Sequence, residues 1–187
     1  RDPGTAALAK RSLAEVQFRL HDFEGAIRSA REVLAANPDD TTMRLLLAQS
    51  LMFRARSAEA LKEVQMAADR DKDNAEPFLL MADIYKELKR PADVDAAFRR
   101  ALAVGKNSMR VAQRYVAYLK ENNQPDKLKA FEAEARKTFS EEEVIELTGS
   151  PEEVERILKA RTEKEDAPAS TWLALARLYQ YTERVDP

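Results

Sequence analysis

The feature that most restricts this chain is a period. Starting from Ala7, Thr41, Ala75 and Met109, each 34 residues after the last, the same residue classes return in the same order. The seventh place holds Leu13, Leu47, Met81 and Tyr115, and the eighth Ala14, Ala48, Ala82 and Val116, a large apolar residue followed by a smaller one each time. The twentieth place holds Ala26, Ala60, Val94 and Leu128, and the twenty-seventh Val33, Ala67, Ala101 and Ala135. Small residues recur where two helices would have to cross at close range, with bulky ones filling the space beside the crossing. A fixed period of this length predicts stacked units, none of which can bury its apolar side alone.

The stretches between the paired helices read as turns. Asp22 and Ser57 are placed to accept from exposed N–H groups of the following helix, and Pro91 and Pro125 suit a first helical position, where no N–H is needed. Asn37-Pro38-Asp39-Asp40 and Asp71-Lys72-Asp73-Asn74 stop the second helix of their units. With 4 Gly and 8 Pro among 187 residues the chain is too poor in turn formers for an all-β fold, so the prediction is all-α.

Residues 7 to about 137 resemble tetratricopeptide repeats. The resemblance rests on Leu13, Ala14, Phe23, Ala26 and Pro38 in the first unit and on Phe78, Met81, Ala82, Tyr85, Phe98 and Ala101 in the third. The fourth unit departs from the pattern, with Phe131 one place early and Glu132 where an aromatic is expected, which predicts a rotated or shortened second helix. The resemblance implies a right-handed superhelical solenoid of antiparallel helix pairs, with four units over 1–137. An irregular acidic segment is expected over 138–168, with one helix near 151–164. The first helix of a further, truncated unit then covers 169–187. From Phe139 to Pro168 ten acidic residues stand against four basic ones. Ser150-Pro151-Glu152-Glu153 is the start signal for the helix there, and Trp172, Leu175, Ala176 and Tyr179 carry the last, partial unit. Its second helix is missing, and the sequence opens on Arg1-Asp2-Pro3-Gly4 without an initiator Met, so a longer parent protein is expected.

In such a superhelix the first helices line a concave face. At the places off the packing stripe the second unit holds Leu45, Leu46, Gln49 and Phe53, and the third holds Leu79 and Leu80 before turning acidic at Asp83 and Glu87. Arg110 and Arg114 occupy such places in the fourth. Leu45, Leu46, Gln49, Phe53, Leu79, Leu80, Asp83, Arg110 and Arg114 are therefore the candidate groove for a peptide or helix of a partner protein. The competing reading is that the leucines complete packing between neighbouring helices. The carboxylate clamp with which some relatives hold chaperone tails is missing: Leu45, Gln49 and Leu80 stand where a lysine and two asparagines would, and only the two arginines match.

Other chemistry is poorly supplied. The single histidine, His21, lies in a turn, the glycines are too scattered for a phosphate cradle, and there is no cysteine. Consecutive Glu141, Glu142 and Glu143 point in different directions on a helix and read as a solvated face rather than a metal site. The alternative is self-docking, in which Glu141 to Glu146 cover Arg110 and Arg114. No cofactor is expected. A net charge of −2, with both signs interleaved, gives no basic field for nucleic acid, and no run is long enough to span a membrane. The expected function is a non-enzymatic protein-interaction scaffold capable of self-association. The alternative is a structural spacer of a bacterial envelope or polysaccharide-export assembly, suggested by the Ala-rich, Asn-Pro-Asp-Asp-punctuated units. The compartment, cytoplasmic or bacterial periplasmic, stays unassigned.

Overall fold

The computed structural model describes residues 3–105, 108–164 and 167–182. Arg1, Asp2, Glu165, Asp166, Asp186 and Pro187 lie outside the described residues. Among the described residues all regular structure is α-helical, and the chain divides into two compact units, 1–106 and 107–187.

The first unit contains α1 (Pro3–Arg19), α2 (Phe23–Ala36), α3 (Thr41–Phe53), α4 (Ser57–Arg70), α5 (Glu76–Glu87) and α6 (Pro91–Val104). Each helix packs on the next, and α3 also touches α1 and α5, as a stack of helix pairs requires. The small residues at the crossings, Ala14, Ala26, Ala48, Ala60, Ala67, Ala82 and Ala101, are all fully buried. Ion pairs tie the first helix pair to the second across the surface: Arg31 to Glu59 at 3.1 Å, Arg54 to Glu24 at 2.9 Å, and Arg70 to Asp39 at 2.7 Å.

The second unit contains α7 (Met109–Glu121), α8 (Pro125–Ala135), α9 (Glu141–Thr148), α10 (Pro151–Thr162) and α11 (Ala169–Thr182). At 11 residues α8 is shorter than the 14-residue α2, α4 and α6, and Phe131 is buried edge-on to Tyr115 with ring centroids 5.2 Å apart. The stretch expected to be irregular around one helix forms two. Ser140 starts α9 with a reciprocal cap, its hydroxyl accepting from Glu143 N–H while the Glu143 carboxylate accepts from Ser140 N–H. Ser150 caps α10 by accepting from Glu153 N–H at 3.2 Å. Val154 and Leu158 of α10 then form a small core with Ala174 and Leu175 of α11.

The period is also written into the backbone. His21, Ala55, Lys89 and Asn123, again 34 apart, have φ of 61°, 57°, 54° and 49°. Each sits at the end of a first helix, in a turn closed by two hydrogen bonds. At Ala55 these run from Ala55 N–H to the Met52 carbonyl and from Arg56 N–H to the Leu51 carbonyl, both 2.9 Å. The left-handed residue lets the chain reverse within a few residues while satisfying carbonyls at the helix end. None of the four is glycine. The next residue in each turn, Asp22, Arg56, Arg90 or Gln124, is the N-cap of the second helix, and only Asp22 caps it with its side chain, accepting from Gly25 N–H at 2.9 Å. The expected Ser57 cap is thus displaced: Ser57 is the first helical residue of α4, in register with Phe23, Pro91 and Pro125. A Cβ at Gly25 would run into the Asp22 carboxylate, so a larger residue there would displace the capping side chain.

Candidate protein-interaction site

The expected groove centres on α3, and its register is firmly held. Asp40 caps α3 by accepting from Met43 N–H at 3.0 Å and also pairs with Arg11 of α1. Arg44, 5% exposed, donates to Glu63 of α4 at 2.7 Å and to the Pro38 carbonyl at 2.6 Å, pinning α3 to both its following helix and the preceding turn. A charge so far from water persists only when paired in this way. With Met43, Arg44, Leu47, Ala48, Ser50 and Leu51 turned inward, the remaining arc of the helix carries Leu45, Leu46 and Gln49, all half-buried, and Phe53, 56% exposed. At about 100° per residue these four share one side of the helix.

The structure extends this surface in a way the sequence reading missed. The Phe53 ring stacks on Phe23, with centroids 4.7 Å apart and planes 15° from parallel, and Phe18 lies 6.0 Å from Phe53. His21 stands edge-on to Phe23 at 5.6 Å, which gives the histidine a packing role in its turn. The end of α1, the first turn of α2 and the end of α3 therefore share an aromatic cluster. Its signal was available, since Phe18 and Phe53 occupy adjacent groove places of successive units, but only the three-dimensional stack shows that Phe23 joins them.

On α5 the outcome differs. Leu79 is 1% and Leu80 5% exposed, so these two belong to the packed interior of α5, which has α3, α4 and α6 as neighbours, while Asp83 is half-buried. Arg110, exposed, and Arg114, half-buried, lie on α7 in the second unit.

The acidic segment makes its own contacts within the second unit. Glu141 and Glu142 pair with Arg161 at 2.9 and 3.0 Å, and Glu142 also accepts from the buried Thr171 hydroxyl, which joins α9, α10 and α11. Glu146 lies 3.6 Å from Arg177, and burial holds its carboxyl above the usual carboxylate range despite that partner. Both groups, with Met109, Val154 and Leu178, line a cleft of about 480 Å³. Burial also lowers the pKa of Lys120, whose ammonium donates to the Gly149 carbonyl at 3.0 Å. Among the described residues no group of three or more His, Cys, Asp or Glu side chains could hold a metal ion, and no helix is long and apolar enough to cross a membrane.

Helix pairs repeating at 34 residues, joined by turns of one backbone conformation and presenting a side of α3 outside the core, define a helical-repeat protein. Comparison gives the same kind of repeat for part of the chain: residues 17–84 match the family model described as tetratricopeptide repeat. None of the curated proteins matches the sequence. Among solved structures it resembles the crystal structure of MamA protein, with a TM-score of 0.60 at 15% identity over 98% of this chain and 100% of that one. It also resembles a thermophilic TPR protein of Thermus thermophilus, TTC0263, with a TM-score of 0.58 at 13% identity over 93% and 99% of the chains. A third likeness is to the structure of Naa15/Naa10 bound to HypK-THB, with a TM-score of 0.57 at 15% identity over 95% of this chain and 29% of that one. At such identities these likenesses show the fold: all-α, in antiparallel helix pairs of the tetratricopeptide solenoid type.

Proposed function

We propose that the protein is a non-enzymatic scaffold that binds a peptide or helical segment of a partner protein on the α3 side of its first unit. Leu45, Leu46, Gln49 and Phe53 supply the contact surface and Asp83 a polar edge. Leu79 and Leu80 act from beneath, by holding α5 in place. Arg110 and Arg114 belong to the second unit, and the proposed groove is confined to the first.

The observation that carries this reading is the exposure of Phe53, stacked on Phe23 and adjoining two half-buried leucines on the side of α3 turned away from its core. An aromatic ring fixed in place by a neighbour presents apolar area at little entropic cost. Each apolar side chain a partner buries there is worth about 1.5–3 kcal/mol, so a few anchors give affinities in the micromolar range after the costs of association.

The test is selection from a displayed peptide library against the whole chain, followed by titration of the selected peptides. Phe53→Asp and Leu46→Asp should each weaken binding at least tenfold while leaving the helical circular dichroism unchanged, and Arg110→Glu with Arg114→Glu should have little effect. Failure to enrich any peptide, or binding indifferent to both α3 changes, overturns the reading.

A further inference from the structure

The cleft in the second unit has no part in the scaffold role proposed above. At about 480 Å³ it falls within the size range of small-ligand sites. It opens beside the last turn of α9, a helix of 8 residues that touches both the 13-residue α7 and the 14-residue α11. Much of its wall is apolar: Val154 is buried, and Met109 and Leu178 are half-buried. Two opposite charges, Glu146 and Arg177, line it 3.6 Å apart.

That pair leaves both groups incomplete. The Glu146 side chain is only 19% exposed, yet among the described residues its carboxylate accepts no hydrogen bond, and at 3.6 Å the guanidinium attracts it without donating to it. A polar group so far from water is normally hydrogen-bonded. Burial raises the Glu146 pKa, and the Arg177 charge opposes that rise without cancelling it. Arg177 is 50% exposed on α11, so its guanidinium can turn toward a ligand without uncovering the core. A simple cation drawn to Glu146 would stand beside Arg177, and a simple anion drawn to Arg177 would stand beside Glu146, each meeting a like charge at close range. A ligand that completes the pair therefore carries both signs.

We propose that this cleft binds a free α-amino acid with an apolar side chain. Such a molecule holds its ammonium and carboxylate on one carbon. The ammonium donates to Glu146, the carboxylate accepts from Arg177, and Gln113 adds an amide at the same wall. The side chain lies against Met109, Val154 and Leu178, which gives larger apolar side chains the advantage over glycine. A peptide answers the pair less well, because either terminus presents only one of the two charges at that spacing.

Titration of the isotopically labelled whole chain with L-leucine, followed by nuclear magnetic resonance, tests this. The expected result is saturable shifts at the amides of Gln113, Glu146, Val154 and Leu178, complete in the low millimolar range or below. N-acetylleucine, leucinamide and glycine should each bind at least tenfold more weakly than leucine. Glu146→Gln and Arg177→Gln should each weaken leucine binding at least tenfold with the helical circular dichroism unchanged, and Phe53→Asp in the first unit should leave it unaltered. Absence of saturable shifts, binding of either blocked analogue as tight as that of leucine, or binding indifferent to both charge changes overturns the proposal.

Discussion

The two units reach order by different routes. In the first, helix pairs share a common register, and each helix is stabilised by what the neighbouring pair lays against it. In the second, α7 and α8 keep that register, but α9, α10 and α11 are delimited by local signals: serine caps at Ser140 and Ser150, and a core of four buried residues. The comparison teaches that periodic sequence specifies positions, whereas capped sequence specifies ends. A helix can arise from either.

The largest effect that would sharpen this contrast lies in the first unit. Leu80→Glu places an unpaired charge at a site 5% exposed and should unfold the unit, whereas Leu46→Glu, half-buried on the proposed binding surface, should cost less than about 1 kcal/mol. Urea titration followed by circular dichroism separates the two, and equal losses would show that α3 has no side outside the core. In the second unit Leu158→Ala removes a fully buried member of the small core and should cost about 2–5 kcal/mol. A loss well below that range would mean that α10 and α11 are not held by their shared core.

Smaller changes probe the ends of helices. Ser150→Ala should destabilise the second unit by about 1 kcal/mol, because Glu153 N–H loses its acceptor, while Ser57→Ala in the first unit should cost less, since Ser57 caps nothing. Relief of the left-handed backbone should act in the opposite direction. Ala55→Gly is expected to stabilise by about 0.5–1 kcal/mol, and Asn123→Gly by less, because asparagine already tolerates that conformation. The smallest effect is a pH dependence. Burial raises the Glu146 pKa in the folded state, so protonation of this group favours folding, and that contribution is present at low pH and lost as pH rises through the folded pKa. Glu146→Gln should therefore raise the melting temperature at pH 7, with the gain shrinking as pH falls through the carboxylate range. An unchanged gain at all pH values would assign the effect to packing.

Much of the fold was legible because period, turn position and small-residue placement are local consequences of repeating helix pairs. The helix stops at Asn37 and Asp71 and the prolines opening α6 and α8 could be read from residue type alone. Reading Ser57 as a cap missed because the preceding left-handed residue places Arg56 at the capping position, and a backbone conformation at alanine leaves no mark in residue type. The α9 helix missed because its acids were weighed as charge rather than as the third residue of a reciprocal cap. For the proposed binding surface, residue type and spacing supplied Leu45, Leu46, Gln49 and Phe53 but not their aromatic neighbours, and could not separate Leu79 and Leu80 from them.

That separation shows where sequence stops and tertiary structure begins. Residue type and spacing set which positions are apolar, which are small, and where each helix turns back. They set Leu13 and Leu47 at the same place of successive units with the same side chain. Only the packed structure decides that Leu47 is covered and Leu13 is open, because burial belongs to a pair of surfaces and each residue encodes just one of them.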